Sequence, residues 1–178
     1  FTLSMKPNLI MGEDDDQNII EHYRLSSHPE GGWFRRTYSS STNVFLDRGE
    51  RLCGSLIYYF LKYGEHSCLH SLKSDEIWYF HFGSSVRIHL FSTSEYHSVD
   101  LGHDWQCGEV AQFPIPAGVV FGAELLQQKG ALMSCSVCPG FAIDDFKWAS
   151  IDELLVEFPE QAEIIRRLQP DFTPEGNL

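Results

Sequence analysis

Short apolar runs separated by turn residues dominate the middle of the chain. Branched and aromatic residues are concentrated in these runs, and small residues such as those at 83–85 separate them. Within residues 86–91 the even positions are aliphatic, while the odd positions include Arg87 and His89, as in a strand with two different faces. The pattern predicts strands at residues 33–39, 52–61, 77–82, 86–91, 109–113 and 131–137. Many short strands without helices between them indicate a sandwich or barrel.

Both ends of the chain have helical spacing instead. Apolar residues on one helical face predict a short helix at residues 18–24. Near the other end, Ser150 and Glu153 have the spacing of a capping box, and Pro159 suits the first turn of a further helix. We therefore expect helices only near the ends, packed outside the strands.

Length and composition are those of one globular domain. The 178 residues suit a single domain at residues 18–170, with a leader at 1–17 and a tail at 171–178. No apolar run approaches the roughly 18 residues of a membrane span, so no membrane partner is expected. The net charge of −12 disfavours nucleic acid, whose phosphates would be repelled. Five cysteines without a disulfide-framework pattern favour a reducing compartment, which predicts a cytoplasmic location.

One stretch has the spacing of a known superfamily motif. It reads Gly64-x5-His70-x-Leu72-x3-Glu76-x6-Gly83 and resembles the first motif of the cupins, G-x5-H-x-H-x3–4-E-x6-G. In metal-dependent cupins the two histidines and the glutamate bind a divalent ion, together with a histidine from a second motif. Leu72 stands in place of the second histidine and cannot donate a lone pair to a metal.

The second cupin motif, G-x5-P-x-G-x2-H-x3-N, aligns partially with residues 116–125. Phe121 occupies the histidine position and Leu125 the asparagine position. Of the four expected ligands only His70 and Glu76 remain, and mononuclear metal sites generally need at least three protein donors. We therefore expect no bound metal and no other cofactor.

A narrower resemblance covers most of the chain. Its segments, in order, are HPEGGWF at 28–34, HSLKSDEIW at 70–78, PAGVVFGA at 116–123 and VCPGF at 137–141. They look like the signatures of the cupin-5 family, RmlC-like cupins of undetermined biochemical function. The resemblance implies an all-β fold with terminal helices, an antiparallel double-stranded β-helix or jelly roll. It also implies a homodimer with a pocket for a small molecule of unknown identity. Arg36 departs from the family pattern, which more often has an acidic residue there.

His70 and Glu76 are the candidate catalytic residues, because they lie at cupin positions whose side chains point into the barrel. When a carboxylate and an imidazole lie together in an apolar cavity, their pKa values are pushed apart. One group can then act as a general base and the other as an acid. The resemblance to RmlC-like epimerases implies a metal-independent epimerase or isomerase, with His70 as base and Glu76 as its partner. The alternative for the pair is a structural hydrogen bond between two strands.

Aromatic side chains are expected to complete the pocket. Trp78 and Phe80 share the strand alternation of Glu76, and Phe121 is expected to face them from the position of the lost ligand. Aromatic walls with a few polar groups are typical of small-molecule pockets and suit a carbohydrate-like ligand. The alternative is that these rings only fill the barrel.

Glu30 and Arg35 flank a Gly31-Gly32 turn and are the remaining ligand-binding candidates. Glycines permit a positive φ or a close backbone approach, and Arg35 is suited to an anionic ligand or to a carboxylate of the protein. Two hypotheses stay open, an enzyme and a ligand-binding module without turnover, and no sequence feature separates them. Leu72 and Phe121 disfavour a metal-dependent oxygenase or isomerase.

Overall fold

Two antiparallel sheets and a hairpin make up the computed structural model, which describes residues 13–93 and 95–170. The strands are β1 (Ser26–Ser27), β2 (Trp33–Ser39), β3 (Asn43–Leu46), β4 (Gly49–Leu52), β5 (Ser55–Leu61), β6 (His66–Leu72), β7 (Asp75–Gly83), β8 (Val86–Ser92), β9 (Glu95–Leu101), β10 (Gln112–Ile115), β11 (Val120–Leu125), β12 (Ala131–Cys138) and β13 (Phe146–Trp148). The first sheet has the order β1-β2-β5-β12-β7-β10 and the second β13-β6-β11-β8-β9, while β3 and β4 form the hairpin.

The predicted jelly roll is confirmed by this topology. From β5 onward the chain crosses between the two sheets at nearly every turn, and β8–β9 is the exception. Neighbouring strands within each sheet are paired antiparallel. The two sheets face each other as separate layers, and the core lies between them.

The strand predictions differ from the structure in informative ways. The strand at residues 33–39 is correct, and the strand predicted at 109–113 lies instead at Gln112–Ile115. That strand, β10, contains Pro114, which is tolerated because β10 is the edge of its sheet. The apolar pattern missed β6, which histidine and serine interrupt, and β9, which acidic residues interrupt as well, and it also missed β11.

Each sheet has one face on the shared core and one face under a helix. Ile88 and Leu90 of β8 lie in the core between the sheets, as the alternation predicted. Phe91, on the opposite face of β8, packs instead against Phe158 beside the C-terminal helices. Both faces of β8 are therefore buried.

The helices lie outside the sheets, as predicted. Helix α1 (Glu13–Tyr23) covers the outer face of the six-stranded sheet, and α2 (Ile151–Glu157) and α3 (Ala162–Arg167) cover the five-stranded sheet. Helix α1 begins earlier than predicted, so residues 13–17 of the expected leader are helical. The rest of that leader, residues 1–12, and the tail lie outside the described residues. No helix in the described part of the chain is long and apolar enough to cross a membrane.

The capping box predicted at Ser150 is half visible. The Ser150 hydroxyl accepts a hydrogen bond from the backbone N–H of Glu153 at 3.4 Å, which satisfies one free amide at the start of α2. Pro159 begins a 3-10 turn that leads into α3, where a proline without an N–H is tolerated.

Asp145 fastens the β3–β4 hairpin to the rest of the domain. Its buried carboxylate accepts hydrogen bonds from Arg51 Nε at 2.7 Å and Nη2 at 2.9 Å, and from Arg48 Nε at 3.2 Å. Arg48 also donates to Ser74 Oγ at 2.9 Å, in the turn between β6 and β7. The hydrogen bonds from Arg51 hold the pKa of Asp145 below its usual value. This network ties the hairpin to Asp145 and to the turn between β6 and β7.

Candidate functional site

A cavity of about 220 Å³ lies between the two sheets. Most of the side chains that line it are aliphatic or aromatic. The polar groups on its wall, besides the Tyr59 hydroxyl, are His28, Glu30, Arg36, Ser55, Glu76 and Cys135. An apolar cavity with a few convergent polar groups is the usual form of a small-molecule site.

The register of β12 builds one wall of the cavity. Cys135 is paired with Ile57 on β5 and with Trp78 on β7, and Val137 is paired with Glu76. Paired residues in antiparallel strands point to the same face, so these five side chains form one patch on the inner face of the six-stranded sheet. The strand pairing therefore places the Glu76 carboxyl among apolar neighbours.

Glu30 reaches the cavity from the tight turn between β1 and β2. Gly31 and Gly32 have φ values of +101° and +71°, which favour glycine. The turn is held by a hydrogen bond from Cys68 N to Glu30 O at 2.8 Å and by one from the Tyr59 hydroxyl to Gly31 O at 2.9 Å. The two glycines and these two hydrogen bonds fix the position from which the Glu30 side chain enters the cavity.

His70 is paired with Glu30, and its tautomer follows from its contacts. Nδ1 lies 2.7 Å from the carbonyl oxygen of Cys68, which can only accept, so Nδ1 carries the proton. Nε2 lies 3.3 Å from Glu30 Oε2. In a neutral imidazole Nε2 is then an acceptor, and Glu30 must be the donor. Cys68 thus holds the backbone of Glu30 with its N–H and the ring of His70 with its carbonyl.

Burial keeps this pair uncharged. It lowers the pKa of His70 to about 4 and that of the neighbouring His28 to about 3. Burial, together with the nearby charge of Glu76, raises the pKa of Glu30 well above its ordinary value of 4.5. Both shifts favour the neutral forms, a protonated carboxyl group beside a neutral imidazole.

Glu76 is the second buried carboxyl group on the cavity wall. Burial raises its pKa to about 7, and hydrogen bonding from the Cys135 thiol and the Trp78 indole limits the rise. The Trp78 contact is a poor one, because Nε1 is buried and has no hydrogen bond of good geometry among the described residues. A free donor in the cavity wall is suited to a polar group of a ligand.

The raised pKa of Glu76 predicts a pH-dependent effect of Glu76→Gln. A carboxyl group with a higher pKa when folded binds more protons in the native state, so stability falls as pH rises between the two pKa values. From about pH 4.5 to about pH 7, the wild type is expected to lose on the order of 3 kcal/mol relative to the variant. Urea denaturation across this range measures the difference. The same difference is expected to be flat for Glu95→Gln, at an exposed position, and a flat result for Glu76→Gln would contradict the assignment.

Three of the residues predicted from the sequence line the cavity, namely Glu30, Glu76 and Trp78. His70 lies behind Glu30 and does not form part of the wall. The expected hydrogen-bonding partner of His70 was Glu76, and the structure gives Glu30 instead. The reason is that His70 and Glu76 lie on strands of opposite sheets, while the β1–β2 turn inserts Glu30 beside the imidazole.

The other three predicted residues lie elsewhere. Phe121 is buried against the His70 ring, with centroids 4.2 Å apart, and supports it from behind. Phe80 packs in the core and meets the ring of His103 at 4.7 Å. Arg35 extends over the Tyr58 ring at 5.7 Å, on the face of β2 opposite to the cavity.

His28, Arg36, Tyr59 and Cys135 line the cavity and were missed as site residues. Strand alternation was the available signal for Arg36, because it shares a face with Phe34 and differs in face from Arg35. His28 stood in a family segment two residues before Glu30. Nothing in the local sequence pointed to Tyr59 or Cys135, whose positions depend on pairing between distant strands.

The side chains at the cupin ligand positions do not fit a metal ion. Leu72 and Phe121 offer no lone pair, and both ring nitrogens of His70 face other partners. Within residues 13–93 and 95–170 no three histidine, cysteine, aspartate or glutamate side chains are grouped to hold an ion. No step of a reaction is therefore assigned to a metal, and the absence of a cofactor stays a prediction.

Comparison with known families agrees with this architecture. Residues 17–149 match the model of the family described as Cupin superfamily (DUF985), which is the cupin-5 family. The chain belongs to this family. The cupin-5 match covers the β1–β2 turn, both cupin motif regions and every strand of the two sheets.

Several similar proteins span nearly the same length. A structure from Shewanella oneidensis is 37% identical and has a TM-score of 0.79, with 86% of this chain and 96% of that chain covered. A hypothetical protein from Leishmania major is 27% identical, with a TM-score of 0.81 and coverage of 87% and 98%. An uncharacterized protein of Saccharomyces cerevisiae is 26% identical over 82% of each chain.

A more distant likeness shows the fold alone. Oxalate decarboxylase from Bacillus subtilis is 18% identical, with a TM-score of 0.52 over 85% of this chain and 43% of that chain. Together the family and the fold support a cupin-type small-molecule-binding domain.

Proposed function

We propose that this protein is a metal-independent epimerase or isomerase that moves a proton on a small carbohydrate-like ligand. The observation that carries the proposal is that two carboxyl groups, the buried Glu76 and Glu30 with 12% of its side chain exposed, face one apolar cavity with raised pKa values. Titratable groups with perturbed and unequal pKa values in a cleft are typical of acid–base catalysis.

Glu76 is the proposed base. With a pKa of about 7 it is partly ionised at neutral pH, which suits a group that both takes and returns a proton. It removes a proton from a carbon next to a carbonyl group, the electron pair of the broken C–H bond forms a C=C bond, and the π pair of the carbonyl group moves to its oxygen. In an isomerisation Glu76 returns the proton to the neighbouring carbon, and in an epimerisation water delivers a proton to the opposite face of the first carbon while Glu76 releases its own to the solvent. In both cases Glu30 regains a proton from an enol hydroxyl of the intermediate.

Glu30 is the proposed acid, and His70 is a positioning residue. In the free protein the single proton of the Glu30 carboxyl faces His70 Nε2, and in the complex it turns to the developing oxyanion of the ligand and is transferred to it. His70 touches Glu30 and does not line the cavity, so it acts by holding the Glu30 carboxyl in place. These roles differ from the sequence-based hypothesis, which gave the base to His70.

A ligand-binding module without turnover is the second candidate function. The hydroxyl of Tyr59 favours it, because its proton is donated to Gly31 O at 2.9 Å and is not free to act as an acid. In that case Trp78 Nε1 and the two carboxyl groups only bind the polar groups of the ligand.

Proton exchange with solvent tests the proposal. The protein is incubated in D2O with glucose, fructose, glucuronate, glucose 6-phosphate and fructose 6-phosphate, and proton NMR follows each C–H next to a carbonyl. Protein-dependent loss of such a signal, abolished by Glu76→Gln, is the expected result. Binding of a sugar without exchange would leave the binding-module function in its place.

A further inference from the structure

Arg36 is an arginine without a carboxylate partner at the cavity. It lies on the inner face of β2, its side chain is exposed, and its guanidinium carbon is 5.8 Å from the centroid of the Phe141 ring. No acidic side chain of the described residues forms an ion pair with it, although the chain has 25 acidic and only 13 basic residues. Four other arginines do have carboxylate partners, namely Arg48, Arg51, Arg87 and Arg167.

The interior of the cavity is unsuited to an anion. Glu30 and Glu76 already crowd it with two carboxyl groups, and the rest of the lining is largely apolar. Burying a further negative charge there, without a cation, costs much more than leaving it at the surface. Among the lining residues Arg36 alone carries a permanent positive charge, and it lies where solvent enters.

We infer that the ligand carries an oxyanion, a carboxylate or a phosphate, which Arg36 binds at the mouth while an uncharged, hydroxylated body enters the cavity. An arginine binds either group through paired N–H donors. A volume of about 220 Å³ is below the 300–1,000 Å³ of pockets for drug-sized ligands, which restricts the body to about one ring. The carbohydrate-like body rests on the proposed function, and the substrate class is then an acidic or phosphorylated monosaccharide.

Calorimetry with three sugars that differ at one carbon tests this inference. Glucose is neutral, glucuronate carries a carboxylate and glucose 6-phosphate a phosphate at the same position. At least one of the two anions is expected to bind the wild type about 10- to 100-fold more tightly than glucose does, as for a hydrogen-bonded ion pair. Which of the two binds better identifies the oxyanion.

Variants of two adjacent arginines provide the matched comparison. Arg36→Gln is expected to reduce the preference for the anion to near unity, and Arg36→Lys to retain part of it. Arg35→Gln removes the same charge from the opposite face of β2 and is expected to keep the full preference. Equal molecular masses of all variants by light scattering exclude a change of assembly as the cause.

The outcomes separate this inference from the proposed enzyme activity. Equal binding of glucose and both anions, loss of preference in Arg35→Gln to the same extent as in Arg36→Gln, or no binding of any of the three sugars would overturn the inference. An Arg36-dependent preference without proton exchange in D2O would sustain it and reject the proposed enzyme. Proton exchange on neutral sugars but not on the anions would overturn the inference and sustain the proposed enzyme.

Discussion

Replacing Glu30 with glutamine is expected to reduce proton exchange on the ligand by about 10²- to 10⁴-fold, the usual contribution of a general acid. Stability is expected to stay within about 1 kcal/mol of the wild type, a typical net hydrogen-bond contribution. The reason is that the amide N–H of glutamine can donate to His70 Nε2, as the protonated carboxyl does. NMR exchange rates and urea denaturation measure the two effects.

Two further variants serve as comparisons for Glu30→Gln. Glu30→Ala leaves the buried Nε2 without a donor and is expected to cost about 1–3 kcal/mol. Glu95→Gln, at an exposed position of β9, is expected to change neither property. If Glu30→Gln were as destabilising as Glu30→Ala, Glu30 would instead be ionised and His70 protonated, because glutamine lacks the negative charge that stabilises a buried imidazolium.

Gly31→Ala is expected to destabilise the fold by about 4 kcal/mol, through strain at a positive φ and overpacking together. Gly31 has a φ of +101°, and a Cβ at this position would collide with the carbonyl oxygen of His66. The β1–β2 turn would have to move, and the Glu30 side chain with it. Thermal and urea denaturation measure the loss of stability, and the exchange assay measures the displacement of Glu30.

Gly64→Ala is the matched control for this prediction. Gly64 also has a positive φ, of +86°, but a Cβ there meets nothing within 4 Å. Its expected cost is therefore only the left-handed backbone penalty, about 1–2 kcal/mol. Equal costs for the two substitutions would show that the contact with His66 does not constrain the turn.

The cupin motif spacing could be read as a fold because it depends on strand and turn lengths. Gly64 and Gly83 both have positive φ values, and Gly64 lies just before β6 while Gly83 ends β7. His70 and Glu76 are separated by the short turn between these strands, so each is placed on its own sheet. These strand and turn lengths do not depend on metal-binding side chains, so the motif spacing remains although Leu72 and Phe121 occupy two of the ligand positions.

Strand alternation predicted part of the site, and the Gly31-Gly32 turn pointed to Glu30. Glu76 and Trp78 are two residues apart on β7 and therefore share the inner face. The same rule failed for Phe80, which is two residues further along β7 but packs in the core and does not line the cavity. For β2 strand alternation separates Arg35 from Arg36 and groups Arg36 with Phe34, but which of the two faces meets the cavity follows only from the pairing of β2 with β5.

The sequence by itself indicated a β-sandwich or barrel with helices outside it, because these depend on local periodicity, and the cupin resemblance narrowed this to a jelly roll. Residue type put Leu72 and Phe121 at two positions that hold metal ligands in other cupins. Only the tertiary structure decided which groups meet in the cavity. Glu30 reaches His70 across 40 residues of chain through a turn held by Cys68 and Tyr59, and Cys135 reaches Glu76 through strand pairing. Burial by distant strands then sets the pKa values of both glutamates, and no local pattern in the sequence records that burial.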